Sequence, residues 1–210
     1  MRLGVFGGSF DPPHIGHFLA AVDAADHLAL DRVLWVPAAH QPLKTATPHI
    51  ASPEQRYAMV AAATGAHSRF TPSRIEIDRE GLSYTVETLE ALKQQYPAAE
   101  RFLLLGEDAW EGFAQWHQPE RIRTLVQVAV LKRPAGTPQG RESDPVGIGA
   151  LSEDSADSHG IALPDRQIPS RTIDVSATEI RARIKAGKPI RGFVQDAVAD
   201  IIESEGLYRW

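Results

Sequence analysis

The chain has 210 residues, 43% hydrophobic and 23% charged, with 22 Lys+Arg against 27 Asp+Glu and so a net charge of −5. This is enough apolar material for one globular domain, and the acidic balance argues against a general nucleic-acid binder. With no cysteine at all, disulfides, thiolate metal sites and thiol nucleophiles are excluded.

In chain order, residues 2–6 form a short apolar run closed by Gly7-Gly8, which predicts a buried strand and a tight turn. Ile15, Phe18, Leu19, Val22, Ala25 and Ala29 follow helical spacing. Residues 32–36 read as a second strand, and 37–52 as a proline-rich loop. Ser52-Pro53-Glu54-Gln55 carries a capping box with proline at the first helical position, and predicts a helix to about Gly65. Phe70 to Asp78 reads as a strand, and Ser83 opens a helix with Val86, Leu89 and Leu92 inward. A strand over 101–105 stops at Gly106, two short helices follow near 108–114 and 119–124, and 126–131 is a further strand. Residues 135–170 read as a long loop or insertion, with a short strand near 171–175, and the end is helical over about 177–186 and 194–205.

Strands alternating with helices predict an α/β fold: a Rossmann-like, doubly wound parallel sheet with helices on both faces and a small C-terminal helical part over about 176–210. The whole of 1–210 is read as a single domain. No apolar run approaches the ~18 residues of a membrane span, and the first residues are too short for a signal peptide. A cytoplasmic protein with no membrane partner is the expectation.

Chemistry concentrates in two places. Gly7-Gly8-Ser9-Phe10-Asp11-Pro12-Pro13-His14-Ile15-Gly16-His17 lies where the first strand gives way to the first helix. Glycines there let backbone N–H groups approach a polyphosphate, and the helix start presents its positive end to an anion. His14 and His17, three apart, share one face of the first turn, with Gly16 leaving room for substrate on that face. A glycine turn with two neighbouring surface histidines is the alternative; a metal pair lacks a clear third ligand. Neither a Gly-x-Gly-x-x-Gly fingerprint nor a Gly-Lys-Ser/Thr loop occurs, which disfavours a dehydrogenase or a P-loop NTPase. The second place is Ser176-Ala177-Thr178-Glu179-Ile180-Arg181. Capping explains Ser176 and Glu179, but Thr178 and Arg181 can reach one anion together.

The first run resembles the Gly-x-Phe-Asp-Pro-x-His-x-Gly-His signature of the Rossmann-like nucleotidyltransferases, and the second resembles their Ser-Ser/Thr-Thr-x-x-Arg motif, with Ala177 as the departure. The His-Ile-Gly-His stretch is also similar to class I aminoacyl-tRNA synthetases, but the length and the missing Lys-Met-Ser-Lys-Ser-like loop speak against one. Between the motifs, the chain resembles the bacterial nicotinate-nucleotide adenylyltransferases. Val36 to Lys44 is similar to their loop ending in Pro-Pro-His-Lys, with Gln41 and Leu43 departing from it. Leu82-Ser83-Tyr84-Thr85 and Thr88-Leu89 follow their Ser-Tyr-Thr-x-x-Thr-Leu pattern. Gly106-Glu107-Asp108, Phe113-Ala114-Gln115-Trp116-His117, Lys132-Arg133-Pro134 and the Gly206-Leu207-Tyr208-Arg209 tail match further stretches.

The resemblance implies transfer of the adenylyl group of ATP to nicotinic acid mononucleotide, giving deamido-NAD and pyrophosphate. It implies His17, His14 and Arg181 as catalytic. Gly7, Gly8, Ser9, Phe10, Gly106, Asp108, Ser176 and Thr178 join these three at ATP. Lys44, Tyr84, Thr85, Trp116 and Arg133 fall to the mononucleotide. Magnesium would arrive with ATP, the protein itself supplying no metal site, and a homo-oligomer is compatible with all of this. The alternatives are a related adenylyl- or cytidylyltransferase acting on nicotinamide mononucleotide or another phosphorylated acceptor, and a non-catalytic nucleotide-binding module.

Overall fold

A computed structural model describes residues 1–40, 50–79, 81–132, 164–171 and 173–210. Among them run β1 (Arg2–Gly8), α1 (Ile15–His27), β2 (Arg32–Pro37), α2 (Pro53–Thr64), β3 (Phe70–Pro72), α3 (Thr85–Gln95), β4 (Glu100–Gly106), α4 (Glu107–Glu111), α5 (Pro119–Leu125), β5 (Gln127–Lys132), β6 (Arg166–Pro169), α6 (Ala177–Lys185) and α7 (Asp196–Glu205). A single 3-10 turn, Phe113–Gln115, precedes α5.

The six strands form one parallel sheet in the order β3-β2-β1-β4-β5-β6. Successive residues of a strand face opposite sides, and the two sides bury separate cores. Leu3, Val5, Leu34, Val36, Leu103, Leu105, Val128 and Val130 pack with α3 and α5 through Val86, Leu89, Leu92 and Ile122. Val33, Trp35, Phe102, Leu104, Ala129 and Ile168 pack with α1 and α2 through Ala21, Ala24, Ala25 and Val60. A third core joins α2 to α6 and α7. Among the described residues, no helix is long and apolar enough to cross a membrane.

Three expectations change. The strand from Phe70 is only three residues long. It pairs with β2 at the sheet edge only as far as Trp35↔Pro72, and the Pro72 nitrogen has no proton to donate. Ser73 N–H gives the last bond to β2, donating to the Trp35 carbonyl at 2.8 Å, and the chain then turns at residues 75–77. The last strand is Arg166–Pro169, earlier than the expected 171–175, because this segment supplies the parallel register to β5 from Ala129↔Arg166 to Lys132↔Pro169. Ser83 does not cap α3: the helix begins two residues later, behind Tyr84, because the Ser83 hydroxyl is engaged by the backbone of Ala39 and His40.

Candidate active site

Strand order reverses between β1 and β4, and there the sheet opens. Pairing of β1 with β4 ends at Val5↔Leu103, while β1 stays paired with β2 to Gly8↔Pro37 and β4 with β5 to Gly106↔Leu131. The last three residues of β1 and β4 therefore splay apart. This is the crevice at which open α/β sheets bind ligands, with Gly7, Gly8 and Ser9 on one lip and Gly106 and Asp108 on the other. Asp108 lies inside the first turn of α4, behind the cap Gly106.

His14 is the N-cap of α1, and His17 is the third helical residue. His14 N–H donates to His17 Nδ1 at 3.2 Å, and His17 N–H donates to His14 Nδ1 at 3.4 Å, so the two imidazoles form a reciprocal capping box. Their ring centroids are 3.7 Å apart. Burial, together with the neighbouring ring of His17, pushes His14 well below its usual pKa, and burial brings His17 down to about 4. Both are neutral at physiological pH. Since each Nδ1 accepts a backbone N–H, each ring carries its proton on Nε2, as the hydrogen bonds require. The pair thus offers two neutral Nε2–H donors without two positive charges.

Gly16 serves this pair rather than the substrate directly. A Cβ there would lie 3.0 Å from His14 Cε1 and Nδ1, so glycine leaves the place that the His14 ring fills. Gly8 is similar: a Cβ would meet the Phe10 ring at 2.9 Å. Phe10 is only 1% exposed and sits edge-on beneath His17, with centroids 5.2 Å apart. Its part is a floor under His17, not a wall of the cleft.

The two sequence motifs meet. Arg181 Nη1 donates to the Asp11 carbonyl at 2.8 Å, and Arg181 Nη2 to Thr178 Oγ1 at 3.0 Å. Ser176 caps α6, its Oγ accepting from Glu179 N–H. Ile15 N–H donates to the Phe193 carbonyl at 2.9 Å, which ties the C-terminal helices to the start of α1.

Two of the residues that build this junction, Arg56 and Asp23, carry no local signal in the sequence, while Asp11 belongs to the first motif. Arg56, fully buried on α2, donates to the carbonyls of Ser9, Ala39 and Ala51. Its pattern position is that of any helical residue. Asp11 accepts from the N–H groups of Ile50 and Ala51 and from the Tyr208 hydroxyl at 2.7 Å. Asp23 on α1, also buried, holds Arg171 N–H at 2.7 Å, so α1 anchors the chain leading to α6.

On the other side of the sheet, Tyr84 caps α3, and Thr85 is its first residue. Tyr84 packs on the core cluster that contains Trp116, and its ring centroid is 4.5 Å from that of His117. Trp116 is 7% exposed, and its Nε1–H is buried with no partner among the described residues. Lys44 and Arg133 lie outside the described residues.

A parallel 3-2-1-4-5-6 sheet with a histidine pair at the β1 switch point and a hydroxyl–arginine helix start beside it defines a nucleotidyltransferase-type α/β protein. The chain belongs to the cytidylyltransferase-like family, whose model matches residues 5–183. Within it, the chain is 44% identical over 209 residues to a probable nicotinate-nucleotide adenylyltransferase of Gemmatimonas aurantiaca, covering 100% of this chain and 93% of the relative. It is 40% identical to one of Thermus thermophilus, covering 100% of both. Among solved structures, nicotinic acid mononucleotide adenylyltransferase from Plasmodium falciparum, complexed with NaAD, aligns over 99% of this chain and 97% of that one, with a TM-score of 0.69 at 14% identity. That likeness shows the shared fold.

Proposed function

We propose that this chain transfers the adenylyl group of ATP to nicotinic acid mononucleotide, releasing pyrophosphate and deamido-NAD. The observation that carries the reading is the convergence of the two motifs: Arg181 of the second rests on the Asp11 carbonyl of the first, beside the His14–His17 pair. Full-length similarity to relatives of that name supports the acceptor.

The nucleophile is the acceptor's own phosphate, dianionic near neutrality because its second pKa is about 6. No protein base is needed, and no protein–substrate covalent intermediate forms. The phosphate oxygen attacks the α-phosphorus in line, the bond to the bridging oxygen breaks, and pyrophosphate leaves with its electron pair. Catalysis rests on positioning and on donors aimed at the developing charge. We assign His17 Nε2–H to the α-phosphate, and His14, Ser176, Thr178 and Arg181 to the remaining phosphates. Neutral imidazoles suit this role, since two donors can stand 3.7 Å apart without mutual charge repulsion. Gly7, Gly8 and Ser9 would lend backbone at one lip and Gly106 and Asp108 the other, where the carboxylate suits ribose hydroxyls. Tyr84, Thr85 and Trp116 would hold the pyridine end. Magnesium enters as the counter-ion of the substrate MgATP.

The test is pyrophosphate release from MgATP with nicotinic acid mononucleotide, nicotinamide mononucleotide, or no acceptor. Release with the nicotinate form above the other two supports the reading. Preference for the nicotinamide form would reassign the acceptor, and binding of ATP with no release under any condition would make the chain a nucleotide-binding module.

A further inference from the structure

We propose that Glu76 is the positioning residue of the acceptor half of the site, holding the Ser83–Thr88 segment and the backbone after β2 as one piece. The inference rests on the reading above for what the acceptor is, but not for the geometry.

Glu76 lies between β3 and α3 and is 8% exposed. An ionised carboxylate is expensive to bury unless hydrogen bonds and opposite charge offset the lost water. Both are present. Thr88 Oγ1 donates to Glu76 Oε1 at 2.7 Å, Ser83 donates its hydroxyl proton to the same carboxylate, and the guanidiniums of Arg79 and Arg56 act on it electrostatically. Burial outweighs these and raises its pKa above the usual range.

The Ser83 hydroxyl has one proton and two lone pairs. With the proton committed to Glu76, both lone pairs are turned to the chain after β2: Ala39 N–H donates to Ser83 Oγ at 3.0 Å, and His40 N–H at 3.3 Å. Ser83 N–H returns a bond to the His40 carbonyl at 2.9 Å. Thr88, one turn into α3, is fixed from the other side: Arg79 Nη1 donates to its Oγ1 at 3.1 Å, leaving the threonine proton for Glu76. One buried carboxylate therefore orients two hydroxyls that bracket Tyr84 and Thr85. Through Ser83 it also docks Ala39 and His40, which follow β2. Nothing in this arrangement requires Glu76 to touch substrate.

Glu76→Gln is the informative change. The amide keeps the volume but replaces one acceptor by an N–H donor, so the hydroxyl facing that donor must reverse: Ser83 then surrenders a lone pair used by Ala39 or His40, or Thr88 the one used by Arg79. The KM for nicotinic acid mononucleotide should rise about tenfold while that for ATP stays within about twofold, the size expected for a lost bond to a charged group. Ser83→Ala should reproduce this split, and it serves alone if Glu76→Gln does not fold. The double variant should be no worse than the poorer single, since both act through one contact. Amide exchange at Ala39 and His40 should quicken in Ser83→Ala, and in Glu76→Gln to the extent that Ser83 reverses. Equal rises in the two KM values, additive losses in the double variant, or unchanged exchange at Ala39 and His40 in Ser83→Ala would each overturn the proposal. The exchange measurement decides the matter even if the wild type turns over no mononucleotide, a result that would fail the acceptor reading instead.

Discussion

His17 has two separable tasks, and one substitution parts them. Nδ1 accepts the His14 N–H at 3.2 Å, which holds the N-terminus of α1. Nε2–H is the donor left for a phosphate. Asparagine places an acceptor near the Nδ1 position and nothing at Nε2. Both variants lose the ring contact with Phe10, but asparagine keeps the cap, whose loss in His17→Ala costs a further ~1 kcal/mol in stability. Removing one preorganised donor to a developing oxyanion costs about 10²–10³ in turnover, or roughly 3–4 kcal/mol of transition-state stabilisation. Pyrophosphate release at saturating MgATP and mononucleotide gives kcat, and thermal melting gives stability. His17→Asn should lose the full factor in kcat while melting within a few degrees of wild type. Turnover within about threefold of wild type, less than ~1 kcal/mol in the barrier, would remove His17 from the chemistry. A melting loss as large as that of His17→Ala would show that asparagine does not replace the cap.

Acidity tests the same ring from another side. Its folded pKa of about 4 lies below the ordinary 6.5, so between these values the unfolded chain binds the proton that the folded chain refuses. The stability from this group is fully present above pH 6.5 and lost as pH falls through about 4, with a slope of up to about 1.4 kcal/mol per pH unit. The sum over the window is on the order of 3 kcal/mol. Buried Glu76, raised in the folded state, works in the opposite sense, so the difference in denaturant stability between wild type and His17→Asn is the quantity to measure. A difference independent of pH from 4 to 7 would contradict the burial assigned to His17. Tyr208→Phe deletes the donor 2.7 Å from a buried Asp11 oxygen and should cost about 1.5–3 kcal/mol, read by urea unfolding. It should also raise the ATP KM, because Asp11 carries Arg181; an unchanged ATP KM would refute the coupling, and an unchanged unfolding midpoint the worth of the bond. Gly16→Ala should leave helix stability near neutral, alanine gaining about 1 kcal/mol in propensity against the crowding of His14. The ATP KM should rise several-fold, and an unaltered KM would show that the His14 ring yields without cost.

Much of the scaffold was written in local pattern. The apolar runs at 2–6, 32–36, 101–105 and 126–131 became β1, β2, β4 and β5, and Ser52 with Gln55 formed the reciprocal cap expected of it. These succeed because strand burial and helix capping depend on neighbours within a few residues. The first helix shows where the pattern misleads: of the pattern's residues Ala25 is buried, but Phe18 and Val22 are only partly covered, and Ala21 and Ala24 complete the buried face, since small residues let α1 lie close to the sheet.

The order of residues alone carried the alternation of elements, the two motifs at the helix starts and the family. Glycine turns, caps and a histidine pair three apart are short-range features that a chain carries in its order. Only the tertiary structure decided how the pieces share hydrogen bonds. It made Gly16 a seat for His14, turned Ser83 from a cap into a tether for the chain after β2, and ended the third strand at Pro72. It also buried Arg56 and Glu76, whose side chains fasten these segments. Some of these partners lie far off in the chain, Ala39 at 44 residues from Ser83 and Asp11 at 197 from Tyr208, and even the near ones meet only in the folded geometry. A polar side chain's function is set by which donors and acceptors surround it once water is gone, and that surrounding exists only in the folded chain.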